Sequence, residues 1–157
     1  TVTTVSTGAY SEVDGGLVTS LASTTDTDTW SMSGNALYMA DGLAGIPANE
    51  TLLTDFSLTM SDDSAYAESS YDFNYTVSST QLGGSVTLET INPVKASWYA
   101  SYPYAGKIRV GSGNASVWLT AIDSTMVHVD YDLDGDGVVD ADPAPVDKYW
   151  TDLPSST

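Results

Sequence analysis

A strict alternation of apolar and polar side chains is the feature that most limits what this chain can fold into. Over Tyr66–Val77 the apolar positions are Tyr71, Phe73, Tyr75 and Val77, and the residues between them are polar. Successive side chains of a β-strand point to opposite faces of a sheet, so this period of two predicts a strand with one buried face.

The same pattern recurs along the chain with turn residues between the segments. Thr51–Met60 alternates with one slip near Asp55, which a β-bulge explains. Thr29–Ser33 and Asn35–Ala40 are predicted as two strands of a hairpin whose tip contains Gly34. No segment sustains helical periodicity for three turns. Eight to ten short strands separated by turns predict an all-β fold, an antiparallel β-sandwich of Ig-like or jelly-roll-like type, in a single domain over residues 1–157.

Composition narrows the classes of partner. The 157 residues include 21 acidic and 4 basic ones, for a net charge of −17, and no cysteine. Phosphate backbones are bound by clustered Lys and Arg, so nucleic acid is not an expected partner. No apolar run approaches the ~18 residues of a membrane helix, so membrane insertion is not expected either. Without cysteine, disulfides and thiolate metal sites are excluded.

The most distinctive chemical feature of the chain is Asp130–Asp140, where five carboxylates fall at every second residue or close to it, with two glycines between them. Ca²⁺ takes six to eight oxygen ligands, and a loop with a side-chain oxygen at every second residue can surround one ion. The bidentate Glu of an EF-hand is missing because Pro143 stands in its place, and a strand rather than a helix precedes the loop. We predict a calcium loop on a β-hairpin at residues 130–142, with ligands from Asp130, Asp132, Asp134, Asp136, the carbonyl of Val138, Asp140 and Asp142. The alternative is a metal-free acidic turn, because Asp and Gly favour turns for local reasons.

The loop is similar to the DxDxDGxxD loops of thrombospondin type 3 repeats. Its surroundings, from about Gly84 to Leu153, resemble uncharacterised secreted proteins and lipoproteins of Gram-negative bacteria. The matching motifs are Thr90–Pro93, Tyr102–Val110, Gly113–Thr125, Val129–Asp140 and Tyr149–Leu153. The resemblance implies an envelope or extracellular location and a calcium hairpin, and it implies no reaction. Residues 1–83 have no counterpart in it, and Pro143–Pro145 lengthens the segment after the loop.

An aromatic segment between two strands has three interpretations. Trp98, Tyr99, Tyr102 and Tyr104 can stack on sugar rings, form a subunit interface, or fold over the edge of the sheet. Three Asn-x-Ser/Thr sequons are candidate glycosylation sites: Asn49, Asn74 and Asn114.

The first ten residues resemble an extended arm. Residues 1–10 are rich in Thr, Val and Ser, and Val2 and Val5 are candidate anchors for pairing with a sheet in the same subunit or in a neighbour. Because the chain opens at Thr1 without Met, we expect a processed N-terminus from which a leader was removed.

The sequence favours a non-enzyme. His128 is the only histidine and lies in the middle of a predicted strand, with no nucleophile-elbow pattern in the chain. We therefore expect an extracellular or cell-surface, calcium-stabilised structural subunit that forms homo-oligomers or polymers, such as a filament or layer, by strand addition. The alternative is a secreted module that binds carbohydrate or another surface ligand through Trp98–Tyr104.

Overall fold

The computed structural model describes residues 2–6, 9–43 and 49–153, with side chains described for 13–42 and 49–153. Eleven β-strands and one short 3-10 turn make up the described chain, so the all-β prediction is confirmed. The strands are β1 Val2–Ser6, β2 Ala9–Gly15, β3 Val18–Ser23, β4 Thr27–Leu43, β5 Asn49–Asp63, β6 Glu68–Ser79, β7 Gly84–Ser97, β8 Ala105–Ser112, β9 Ala115–Ala121, β10 Met126–Asp132 and β11 Val146–Tyr149, followed by the turn Trp150–Asp152.

All eleven strands belong to one antiparallel sheet. Each strand from β4 onward pairs with the next in the chain, and β1 pairs with β2, which pairs with β4. The exception is β3, which pairs with β4 alone and continues the line of β2 along it. The antiparallel arrangement is as predicted. A division into two packed sheets is not confirmed, because a sandwich requires a second sheet and every described strand is hydrogen-bonded into this one.

The sheet has one apolar and one polar face. In β10, Val127 and Val129 are 0% and 3% exposed, while His128 and Asp130 point to the opposite face. Trp150 helps cover the apolar face: its ring stacks on Tyr102 at 6.1 Å between centroids and its Nε1 donates to the Asp123 carbonyl at 3.1 Å. Burial of apolar area on this face is the main favourable term for the C-terminal half.

A bulge in β5 accounts for the slip in its pattern. The register with β6 shifts between Thr54 and Ser57, and Asp55 has a φ of 49°. An extra residue on one strand reverses the faces of everything beyond it, so Leu53 and Leu58 both reach the apolar side. The prediction of a bulge at this position is confirmed.

The hairpin predicted around Gly34 is wrong. β4 runs without reversal through Gly34, which lies opposite Phe56 in β5. A Cβ at position 34 would lie 2.3 Å from the Gly16 carbonyl oxygen and 2.5 Å from Cζ of Phe56. Glycine is present because Phe56, 3% exposed, packs across it, and no turn is required.

The N-terminal arm is part of its own subunit's sheet. Val2 pairs with Val13 and Val5 pairs with Tyr10, so the arm forms the outer strand of a hairpin with β2. Within the described residues there is no helix of the length and apolar character needed to cross a membrane.

Candidate metal centre

Three of the predicted ligands come together at the end of β10. Carboxylate oxygens of Asp132, Asp134 and Asp136 lie within 4.8 Å of one another. Asp132 is the last residue of β10 and is 2% exposed, whereas Asp134 and Asp136 are exposed in the loop that follows. This group of three acids is able to hold a metal ion.

Local hydrogen bonds explain why the loop folds this way. The two oxygens of Asp132 accept hydrogen bonds from the backbone N–H groups of Gly135 at 2.7 Å and Gly137 at 3.2 Å. Asp134 accepts from the N–H of Asp136 at 3.1 Å, and Asp136 from that of Val138 at 2.7 Å. Aspartate carboxylates commonly cap the backbone two or three residues ahead in this manner. These hydrogen bonds bend the loop backbone around the carboxylates, and they require no bound cation.

Two glycines permit this bend. Gly135 and Gly137 have φ angles of 78° and 84°, a conformation that costs other L-residues about 1–2 kcal/mol. A Cβ at Gly135 would also lie 2.6 Å from the Asn114 carbonyl oxygen. Glycine at 135 therefore lets the loop rest directly on the turn between β8 and β9.

Burial sets Asp132 apart from the other two acids of the group. Its carboxylate has no ion pair with Lys, Arg or His in the described part of the chain, and burying an unpaired charge is costly. Ser116 lies directly opposite Asp132 on β9, is 2% exposed, and has a buried Oγ with no hydrogen-bond partner. Cross-strand neighbours share a face, so the Ser116 hydroxyl and the Asp132 carboxylate, which accepts backbone hydrogen bonds but has no ion pair, are on the same face of the sheet. The group could hold a metal ion.

Three other predicted ligands lie outside the cluster of three. Asp140 closes the loop: its carboxylate accepts from the N–H of Leu133 at 2.7 Å, and its own N–H donates to the Tyr131 carbonyl at 2.7 Å. Val138 contributes its N–H to Asp136. Asp142 is exposed beyond the closure.

Asp130 serves a different network. Its carboxylate lies 3.1 Å from Nε2 of His128 and 3.8 Å from Nζ of Lys107, on the polar face of the sheet. His128 also contacts the Asp147 carboxylate of β11 through Nδ1 at 2.5 Å. The bond with Asp147 raises the pKa of His128 above its usual value, burial opposes this, and the charge of Asp130 supports it. His128 therefore joins β10 to β11 through two carboxylates.

The aromatic segment is mostly engaged inside the molecule. Tyr102 stacks on Trp150, Trp98 donates from Nε1 to the Ser69 hydroxyl at 3.1 Å, and the Tyr104 hydroxyl donates to Glu68. Tyr99 is 88% exposed. The geometry matches the interpretation in which this segment folds over the sheet.

Sequence reasoning missed the cluster of Glu68, Lys95 and Tyr104. The hydrogen bond from Tyr104 and then that from Lys95, at 2.9 Å, lower the pKa of Glu68 and raise those of both donors. The three residues are far apart in the chain, on β6, β7 and the segment before β8, and no local pattern joins them.

The three sequons are accessible. Asn49, Asn74 and Asn114 are exposed, at the start of β5, within β6 and in the β8–β9 turn.

Comparisons with known proteins add no relative. Neither the family models nor the curated proteins nor the solved structures contain a match to this chain.

Proposed function

We propose that this protein is an extracellular, calcium-stabilised structural subunit that assembles with copies of itself through the edges of its sheet. The observation that carries the proposal is the buried, unpaired Asp132 with Asp134 and Asp136 around it. The bacterial envelope resemblance and the acidic composition support the extracellular location.

Calcium is the cation that we propose for the site. The available donors are carboxylate and hydroxyl oxygens, which suit hard cations, and neither cysteine nor histidine lies in the cluster. The loop is irregular and partly exposed, and calcium tolerates such variable geometry, whereas Mg²⁺ demands a near-ideal octahedron. Backbone carbonyls and water would complete the coordination shell.

The role of the ion in this proposal is structural. A ligand that binds only the folded state stabilises it by roughly 2.7 kcal/mol when its concentration is a hundredfold above its dissociation constant. Here the ion would neutralise repulsion among three acids and secure the loop between β10 and β11 against the Asn114 turn. Extracellular sites with dissociation constants of roughly 10⁻⁴–10⁻³ M belong to the weak class of calcium modules, which millimolar calcium fills.

Assembly is supported by the architecture. A single open sheet has two edges whose backbone N–H and C=O groups are available for pairing with another chain. Strand addition uses those groups for affinity. The two-layer sandwich expected from the sequence stays part of this proposal, because an apolar sheet face is stable in water only when a second layer covers it.

The alternative function, carbohydrate binding through Trp98–Tyr104, has weaker support. Three of the four aromatic side chains already have partners within the protein, and only Tyr99 projects fully into solvent. A stacking platform normally needs exposed ring faces that are aligned with each other.

Asp134→Asn tests the calcium site. This substitution removes one carboxylate of the cluster at an exposed position, so the fold without metal should be little changed. We expect calcium to raise the Tm of the unmodified protein by about 5–10 °C over its value in chelator, and to raise that of the variant much less. Differential scanning calorimetry in millimolar calcium and in EGTA measures both values.

The matched control is Asp72→Asn, which removes an exposed carboxylate from β6, outside the loop. It should leave the calcium-dependent rise in Tm intact. If Asp134→Asn and Asp72→Asn lost the same fraction of that rise, the ion would not be bound at the cluster.

A further inference from the structure

At one edge of the sheet, strand β3 is open to pairing with another strand. Strand β3 pairs with β4 on one side, and no described strand lies on its other side. All six of its residues are exposed, with Val18 at 68% and Leu21 at 70% exposure. Its register with β4 is regular from Val18 to Ser23, without a bulge that would turn the edge away.

This edge strand and its flanks are free of charge. Residues 15–25 contain no charged side chain, although the chain as a whole has a net charge of −17. Natural sheet edges are commonly blocked by lysine, proline, bulges or very short strands. β3 uses none of these, whereas the opposite edge, β11, has four residues and includes Asp147 and Lys148. Of the described edge strands, β1 and β3 both lack these features, and β3 is the one whose side chains are all described as exposed.

No described strand lies on the outer side of β3. In the described part of the chain, β1 pairs with β2 over Ala9–Val13, and β3 pairs with β4 alone. A second copy related by a two-fold axis normal to the sheet would put its β3 beside the first copy's β3. Such a contact is isologous, because the same strand of each copy meets its counterpart.

We infer that β3 is the site at which a second copy of this chain adds to the sheet, in an antiparallel β3–β3 pair that makes one continuous sheet across two subunits. This inference rests on the proposed self-assembly and specifies its interface. The partner is the same chain because a protein of this charge can approach itself closely only where charge is absent. The pairing also keeps the two acidic loops apart, because each loop follows β10, at the other end of the strand order from β3.

The two-fold symmetry restricts the register. Antiparallel neighbours must share a face, so β3 pairs about one of its own residues. Pairing about Leu21 places Leu21 of both copies side by side and Thr19 beside Ser23, and it keeps the turn that follows β3 clear of the other copy's β1. Leucine against leucine across the axis also covers the most exposed apolar side chain of the strand.

A crosslinking experiment tests the pairing directly. The chain contains no cysteine, so Leu21→Cys introduces a single thiol per subunit. With a short bis-maleimide and millimolar calcium, we expect most of the Leu21→Cys protein to become covalent dimer. The control Leu82→Cys, at a leucine that is 54% exposed in the β6–β7 turn, should remain monomeric on denaturing gels.

A charge variant tests the same contact without a crosslinking reaction. Leu21→Lys places two like charges next to each other across the axis, and we expect it to raise the dimer Kd at least tenfold by analytical ultracentrifugation in calcium. Leu82→Lys makes the same change of charge and should leave the Kd unchanged. Circular dichroism checks that both variants retain the sheet.

The outcomes separate this inference from the proposed function. If the unmodified protein stays monomeric in calcium at all concentrations, self-assembly itself is refuted and this inference with it. If it assembles but neither Leu21 variant differs from its Leu82 control, the β3 pairing is overturned and assembly stands. Crosslinks between Leu21→Cys and Lys148→Cys proteins in a mixture, with none between Leu21→Cys copies, would overturn it in favour of head-to-tail addition at β11.

Discussion

At the scale of single residues, three carboxylates are stabilised by three different kinds of partner. Asp132 is surrounded by backbone N–H groups, Asp130 by His128 and Lys107, and Glu68 by Tyr104 and Lys95. The basic side chains are few, and those that face acids do so at the surface, where isolated ion pairs contribute little. Among the acids whose burial the structure describes, Asp132 alone combines deep burial with the lack of a cationic partner.

The Glu68 contact makes a prediction for Tyr104→Phe. Removing the hydroxyl removes the largest cause of the lowered pKa of Glu68, so that pKa should rise toward the ordinary glutamate value. Because the folded-state pKa is lowered, the contact stabilises the fold above the ordinary pKa and this contribution is lost as the pH falls through the lowered one. NMR titration of the Glu68 carboxyl carbon measures the change. Tyr66→Phe, at a tyrosine that is 77% exposed, is the control; equal Glu68 pKa values in both variants would contradict the prediction.

Two irregularities at the scale of the element keep a long strand pair in register. In β5, Asp55 adopts a left-handed conformation and adds one residue to the strand. In β4, position 34 is a glycine, and the absence of a Cβ there lets Phe56 pack across it. Without these two adjustments, a 17-residue and a 15-residue strand would turn some of their apolar residues to the wrong face.

The bulge predicts opposite effects for the same substitution at two sites. Asp55→Gly relieves the left-handed conformation and should raise the free energy of unfolding by up to about 1 kcal/mol. Asp72 pairs with Thr59 of β5 and has no positive φ, so Asp72→Gly relieves no left-handed conformation and should lower it by about 0.5–1 kcal/mol. Urea denaturation followed by tryptophan fluorescence measures both. A loss at Asp55 as large as that at Asp72 would show that the aspartate side chain, and not the backbone, is what the bulge requires.

The whole molecule combines one open sheet with a large negative charge. Self-repulsion keeps such a chain apart from its copies, and divalent cations reduce that repulsion both at a bound site and by screening. Assembly should therefore depend on calcium more strongly than on an equal ionic strength of sodium chloride.

Negative-stain microscopy tests this dependence. We expect ordered dimers or larger fibres and sheets in millimolar calcium, and dispersed particles both in chelator and in sodium chloride of matched ionic strength. Asp134→Asn should shift the calcium requirement to higher concentration, and Asp72→Asn should not. Equal assembly in all three solutions would separate the calcium site from assembly.

The local patterns of this sequence determined its secondary structure and the location of its acidic loop. Alternation along β6 and β5, including the slip at Asp55, and the Asp-Gly spacing after β10 depend on near neighbours, so they can be recognised in the sequence without a tertiary structure.

The long-range contacts were decided only by the fold. A glycine such as Gly34 is indistinguishable from a turn residue until Phe56 arrives from another strand, and the contact between Glu68 and Tyr104 joins positions 36 apart. Likewise, Asp130 and Asp132 share one motif and one face, yet His128 and Lys107 form ion pairs with the first, while the second is buried opposite Ser116 and has no ion pair in the described part of the chain. Spacing places acidic residues along a chain, but burial and the neighbouring strands decide which of them gain a basic partner.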